Sequence, residues 1–518
     1  MRGRILTAVA ILIAWVGGLG VLVRREYFRP HLERLAEAAL RVTPGAVFFA
    51  VMQGDKQVGF ASSTIDTSTA IIEQRDYLVV DIPIAGKVHR ATARTNVTLS
   101  RTLRLKAFEV SLEADEGPMK VQGDVVGDTL LRYTAAAGTN ATSTDTQTLK
   151  LTGPILLPTL VPLAVALEEK PRVGKSYVLP LFDAASLAPK DVRLDIRAES
   201  LFVVNDSSVF DSTSGRWHGV LPDTVRAWQI VAQSRSGVGG WVDAQGRIVA
   251  TSQLGFHLQR MPYEVAFENW RRESDFAAAA PALKKIPANR DVLEATAIAA
   301  NKRLHSSLSE LRVRLSGVPL AGFDLNGGRQ HLSNDTLIID REAVQALAPR
   351  YLTLQGPQRT RFPDLKAEPF LEVDHREIVA LADRLAEGMR DPRVIAQRIN
   401  AWVYDSVKKE VTIGIPSALH VLHTRVGDCN EHTQLFVALA RAAGIPARIA
   451  SGLAYVDGKF YYHAWPEIML RGWVAVDPTF GQFPADASHI RFVTGGLGRQ
   501  AELLRLVGAL KVDVIGMR

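Results

Sequence analysis

Residues 425–440 read Arg425-Val426-Gly427-Asp428-Cys429-Asn430-Glu431-His432-Thr433-Gln434-Leu435-Phe436-Val437-Ala438-Leu439-Ala440 and hold the one cysteine of a 518-residue chain. Leu435, Leu439 and Ala442 share a helical stripe, and Gly444 with Pro446 supplies the stop. Asp428 has the short acceptor side chain of an N-cap, which places Cys429 in the first helical turn. A thiolate there faces unpaired backbone N–H groups and the positive end of the helix dipole. The expectation is therefore a pKa below the unperturbed thiol value of ~8.5. A free cysteine is more often a small buried hydrophobe. The polar neighbours Asp428, Asn430 and Glu431 argue against an apolar slot, but this segment alone leaves both readings open.

Downstream, Ile449 to Val456 reads as a strand, Asp457-Gly458 as a tight turn and Lys459 to Ile468 as the returning strand. His463 lies on that second strand, and a further strand, Trp473 to Asp477, is ended by Pro478. With an odd-length loop centred near Leu470 or Arg471, His463 and Asp477 face the same side, directly opposite or one diagonal step apart. A carboxylate at that distance accepts the imidazole Nδ1–H and fixes the tautomer. The other ring nitrogen then takes or returns the thiol proton.

Gly427-Asp428-Cys429, the run from Leu435 to Arg448, Tyr462-His463-Ala464-Trp465 and Val476-Asp477-Pro478-Thr479 together resemble the transglutaminase-like superfamily, over roughly residues 375–497. The resemblance implies a papain-like core with Cys429 as nucleophile, His463 as general base and acid, and Asp477 as orienter. The superfamily includes amide cross-linkers, proteases, deamidases and glycan-releasing amidases. It therefore points to acyl transfer from an amide more firmly than to any one substrate. The oxyanion is expected to be held by the Cys429 backbone N–H and one further donor. Asp428, Trp465 and His432 are assigned to the walls and supports of the site, and no cofactor or metal is expected. His420, His423, Cys429 and His432 do carry zinc-ligand chemistry. However, Arg425 to Asp428 interrupts the group and His432 lies one turn into the helix.

The remainder sets organisation and compartment. Ile5 to Val23 is a 19-residue run without a charge, flanked by Arg2 and Arg4 before and Arg24 and Arg25 after. At ~1.5 Å per residue it spans ~28 Å, about one hydrocarbon core, which favours an anchor over a cleaved signal. Gly18-Leu19-Gly20 also offers a small-x-small cleavage site. From about Gly45 to Asp275, β-branched and aromatic runs such as Asp76–Val80 and Trp228–Val231 alternate with turn residues. Trp241 to Val249 reads as a hairpin. Residues 292–308 are alanine-rich and helix-prone, and Leu311 to Leu371 is a second, shorter strand region. Ile378, Leu381, Ala382 and Leu385, then Ile395, Ile399, Trp402 and Val403, mark two amphipathic helices, with Asp391-Pro392 as cap and first residue of the second.

Composition closes off several classes. Apolar residues at 47% and charged residues at 22% exclude wholesale disorder. A mean hydropathy of +0.05 is too low for a multi-span membrane protein. The net charge of +7 is spread without a Lys/Arg block, so no nucleic-acid partner is expected. A single cysteine excludes an intrachain disulfide and a four-cysteine zinc site.

The expected class is α+β: a papain-like transglutaminase core at the C-terminal end, preceded by a large antiparallel β domain and an N-terminal transmembrane helix. The expected divisions are 1–25 (anchor or signal), 26–275 (β domain), 276–308 (linker and helix), 309–372 (small β region), 373–500 (catalytic domain) and 501–518 (C-terminal extension). The expected function is a membrane-anchored, periplasmic, thiol-dependent enzyme hydrolysing a peptide or protein amide through a Cys thioester. The alternatives are a protein cross-linking transglutaminase and a non-catalytic envelope-binding adaptor, and the sequence names no ligand for the β domain.

Overall fold

The computed structural model describes residues 42–518 except 128, 139–145, 169–170, 184–186, 233–238, 254, 280–290, 306 and 369. The expected anchor at 1–25 lies outside the described residues. Among the described residues no helix is long and apolar enough to cross a membrane.

Among the described residues, fourteen strands between Gly45 and Met261 form one antiparallel sheet. Its first strand, Gly45–Gln53, lies inside the sheet, paired with Lys56–Thr67 on one side and with the last strand, Phe256–Met261, on the other. The period-2 pattern explains which side faces inward: Val47, Phe49 and Val51 alternate along that strand and are all buried. The two ends of the strand order curl toward each other. Phe182, on the terminal strand Ser176–Asp183, packs against Phe108 and Tyr133 with ring centroids 5.4 and 5.9 Å away. The strands stop at Met261, and the helix Asn269–Ala279 follows.

One segment departs from its sequence pattern. Among the described residues of 292–308 only Val292–Thr296 is helical, capped by Asp291. Ile298-Ala299 instead adds a short strand beside Lys459–Phe460, so tertiary pairing overrides alanine propensity. Residues 501–518 end in the strand Lys511–Met517, which pairs with Glu310–Ser316 and completes a four-stranded sheet with Gln330–Ser333 and Thr336–Asp340.

The C-terminal domain packs the helices Arg376–Ala386, Pro392–Ser406 and Ala418–Thr424 around a central helix, Cys429–Ala442. That helix is buried on every side from Glu431 to Ala442, as its nearly unbroken apolar run from Leu435 to Ala440 requires. It lies on a sheet in which Ala447–Val456 runs between Lys459–Met469 and Ile490–Thr494. The β domain also reaches this region. Its hairpin tip bonds the loop before the helix Ala418–Thr424: the Ile413 N–H donates to Asp115 Oδ2 (3.0 Å) and the Glu116 N–H to the Ile413 carbonyl (3.2 Å).

Gly452 governs how closely these strands approach. It faces His463 on one neighbour and Arg491 on the other, and a Cβ there would lie 1.9 Å from the Ile490 carbonyl oxygen. Gly452→Ala is therefore expected to force the strands apart at a cost of about 1–3 kcal/mol. A urea midpoint lowered at unchanged m-value checks this, and an unmoved midpoint contradicts it.

Candidate active site

The cysteine helix begins at Asp428, in extended conformation, whose side chain accepts the Asn430 N–H (2.9 Å). Glu431 Oε2 reaches back to the Asp428 N–H (2.8 Å), closing a capping box. Gly427 makes room for that return, since a Cβ there would meet the Glu431 Cβ at 2.2 Å. Cys429 is consequently the first helical residue.

The thiol is enclosed although the residue as a whole is half-buried, and its sulfur receives the Ala464 backbone N–H. Burial pushes the thiol well above its ordinary pKa, and Asp428 adds to the push. The Ala464 N–H opposes both, while Glu431 and Asp477 contribute further negative charge. The expected depression is thus reversed: the position at the helix start is as read, but burial and three carboxylates outweigh the helix dipole. Glu431 is itself pushed well up, first by burial and then by the neighbouring Asp428 carboxylate.

His463 and Asp477 meet through the strand register. Met469 pairs with Trp473, so the loop Leu470-Arg471-Gly472 is centred on Arg471, and Glu467 pairs with Ala475. Continuing that register places Asp477 one diagonal step from His463. The His463 Nε2–H donates to Asp477 Oδ2 at 2.8 Å. The nitrogen is the correction: the carboxylate takes Nε2 rather than Nδ1, leaving Nδ1 as the other ring nitrogen. Asp477 is fully buried, and its Oδ1 accepts the N–H groups of Thr479 (2.7 Å) and Phe480 (3.0 Å). Burial alone would raise this carboxyl, but His463 and His489 outweigh it and hold the group far below the usual carboxylate range.

Two aromatic side chains enclose the imidazole. Phe480 stacks on His463 with centroids 4.8 Å apart and planes 6° off parallel, and Trp465 lies 6.0 Å away at 23°. Trp465 is wholly buried among Ala450, Ala475 and Ala485, whereas Phe480 is 38% exposed and forms an open edge of the site. Sequence reasoning singled out Trp465 but not Phe480, which follows Asp477-Pro478-Thr479 without any periodic signal.

His489 was also missed. It is fully buried and donates its Nε2–H to Asp477 Oδ2 at 2.9 Å, so one carboxylate oxygen holds two imidazoles. The only signal was a second Asp/His pair, Asp486 and His489, soon after Asp477. His432 is buried, with its Nδ1–H donating to the Asp428 carbonyl (2.6 Å), and so supports the helix start. His423 binds Glu377 (2.8 Å) and His420 lies 3.9 Å from Glu116, so these two do not gather with Cys429 and His432. Among the described residues His463, Asp477 and His489 could offer three ligand atoms within 4.8 Å of one another. Their 2.8 and 2.9 Å separations are N–H···O hydrogen-bond distances and satisfy the carboxylate without an ion.

Residues 379–478 match the family model of the transglutaminase-like superfamily. A curated relative, the protein-glutamine gamma-glutamyltransferase of Pseudomonas aeruginosa, is 32% identical over 124 residues, covering 20% of this chain and 18% of that protein. The chain thus spans under a fifth of that relative's length. Among solved structures, a candidate cysteine protease from Cytophaga hutchinsonii matches at 18% identity over 40% of this chain and 86% of its own, with a TM-score of 0.27. A β-barrel-like protein from Brucella abortus matches at 12% identity over 42% of this chain and 95% of its own, also at 0.27. Both structural likenesses are too slight to carry an argument. The family model covers the cysteine helix and the strand that carries His463, and together with the curated relative it supports one conclusion: this chain carries a transglutaminase-like superfamily domain.

Proposed function

We propose that the C-terminal domain is a thiol acyltransferase acting on amides, with Cys429 as nucleophile, His463 as general base and acid, and Asp477 as the residue that orients His463. The observation that carries this reading is the arrangement around one strand. His463 is fixed through Nε2 by a buried carboxylate, and the next residue's N–H holds the Cys429 sulfur.

Cys429 rests as a thiol, because burial and the surrounding carboxylates disfavour the thiolate. His463 Nδ1 takes the S–H proton as the sulfur attacks the amide carbonyl carbon, and the carbonyl π pair moves to oxygen. The oxyanion faces the Cys429 backbone N–H at the positive helix end. Collapse breaks the C–N bond, and the leaving amine takes the proton back from Nδ1. Water then adds to the thioester by the reverse sequence, giving its proton to Nδ1 and releasing the acid and the thiol. Similarity to the protein-glutamine gamma-glutamyltransferase of Pseudomonas aeruginosa favours a second reading, in which an amine replaces water in that last step. Anchorage through Ile5–Val23, with the domain outside the cytoplasm, belongs to the same proposal.

Because the chain has one cysteine, every thioester reports on Cys429. With p-nitrophenyl acetate, a burst of nitrophenolate and a hydroxylamine-labile acetyl adduct on the intact protein are expected. Cys429→Ser and His463→Ala should abolish the adduct, and Asp477→Asn should slow its formation by about 10²–10⁴-fold. Wild-type acetylation in the Cys429→Ser or His463→Ala protein would overturn the reading. Adding n-butylamine separates the two acceptors: N-butylacetamide as product favours transfer, and acetate alone favours hydrolysis.

The resting thiol has its own test. Iodoacetamide alkylation of Cys429 should rise only above the ordinary thiol range near pH 8.5. Asp428→Asn, which keeps an N-capping side chain but removes a negative neighbour, should move that midpoint to lower pH. An unmoved midpoint would show that Asp428 does not govern the thiol.

A further inference from the structure

His489 has no task in the reaction just described, yet it is among the most constrained side chains in the domain. Its residue exposure is 0%, its Nε2–H is bonded to Asp477 Oδ2, and its Nδ1 lies 3.4 Å from Asp486 Oδ1. Asp486 is fixed in turn by the Ser488 N–H (2.9 Å) and hydroxyl (2.6 Å), and its own N–H donates to Gln482 Oε1 (2.8 Å). Trp465 meets the His489 ring edge-on at 5.1 Å, and the close approach at Gly452 holds the strand that follows it. An apolar side chain would fill this space without burying two polar nitrogens. The position therefore calls for an explanation beyond packing.

We propose that His489 is a positioning residue: it acts through Asp477, fixing the carboxylate with a second imidazole hydrogen bond and setting how firmly Asp477 holds the His463 N–H. The proposal rests on reading Cys429, His463 and Asp477 as the acyl-transfer site. The geometry gives it two parts. Asp477 receives four donors, two backbone N–H groups on Oδ1 and two imidazoles on Oδ2, so its carboxylate plane cannot turn away from His463. The second part is charge. A cation at His489 offsets part of the negative charge that Asp477 presents to His463, so His463 stays unprotonated at Nδ1, and free to accept the thiol proton, down to lower pH than beside Asp477 alone. Burial opposes that cation, but Asp477 and Asp486 together favour it and raise the His489 pKa.

The charged and titratable groups facing His489 among the described residues are these two carboxylates and His463, whose ring is 5.7 Å away. Arg329 lies beyond them, bonded to the carbonyls of Ala485 and Asp486 and 3.7 Å from Glu342.

Two variants separate the two parts. His489→Gln keeps an N–H donor within reach of Asp477 but cannot carry the charge, and His489→Ala removes both. The readout is the pH dependence of Cys429 acetylation by p-nitrophenyl acetate in the full chain, with circular dichroism and the thermal midpoint as checks on folding. The Gln variant should keep a near wild-type plateau while its acid limb moves to higher pH, because His463 becomes more basic. The Ala variant should lose about 10²-fold at the plateau, as a misplaced catalytic group does. A Gln variant with an unmoved acid limb overturns the proposal. So do plateaus that fall only in step with lost folding, which would mark His489 as a packing residue. If Cys429→Ser and His463→Ala still acetylate like the wild type, the reading of the site fails instead, so the two failures are distinguishable.

Discussion

A carboxylate removed from water needs a donor for every lone pair, and Asp477 has them. Thr479 and Phe480 supply backbone N–H groups to one oxygen, and His463 and His489 supply ring N–H groups to the other. Much of the C-terminal domain can be understood as the means of assembling that arrangement. The three-residue loop centred on Arg471 sets the register that brings Asp477 diagonally beside His463. Gly452 allows the strand Ile490–Thr494 to close up behind, carrying His489 into reach. Phe480 then stacks on His463 directly after the turn that Asp477 caps, so the bonds that satisfy the carboxylate also build the wall of the imidazole site.

The cysteine side is governed by a different balance. A helix start offers a thiolate unpaired N–H groups and a favourable dipole, but here the same start carries Asp428 and a buried Glu431 in a capping box. Those carboxylates and the enclosure of the sulfur dominate, so the dipole does not leave a standing thiolate. A site built this way keeps its thiol protonated until a partner accepts the proton, and it ties reactivity to the imidazole rather than to the helix alone. The hairpin tip of the large β domain bonds the loop at Ile413, one helix ahead of the cysteine helix.

How much of this the sequence carried follows from the range of each interaction. The N-cap at Asp428 and the helix behind it depend on neighbours within a turn, and both were legible. The pairing of His463 with Asp477 was legible because one loop length fixes which side chains share a face. The choice of Nε2 over Nδ1 was not, since it depends on how the ring is held by Trp465 and Phe480. The sign of the thiol shift was missed because the burial of the sulfur and the gathering of carboxylates around it are collective properties of the folded core. His489 reaches Asp477 only through a strand packed two positions away in the sheet, and no spacing rule marks it. Likewise the strand Lys511–Met517 carries no sign of its partner Glu310–Ser316, which lies far back in the chain. The large β domain was legible as strands and turns, while the place of its first strand inside the sheet depends on Phe256–Met261 returning to it.

The account depends most on Asp477 holding His463 through Nε2 and so leaving Nδ1 for the thiol. Long-range proton–nitrogen NMR of protein labelled with nitrogen-15 histidine measures this directly, because it reports which ring nitrogen carries the proton. The resonances of His463 and His489 are each expected to show a slowly exchanging, downfield Nε2–H, and both signals to be lost or shifted in Asp477→Asn. A His463 protonated only at Nδ1, or two signals indifferent to the loss of the Asp477 charge, would contradict it.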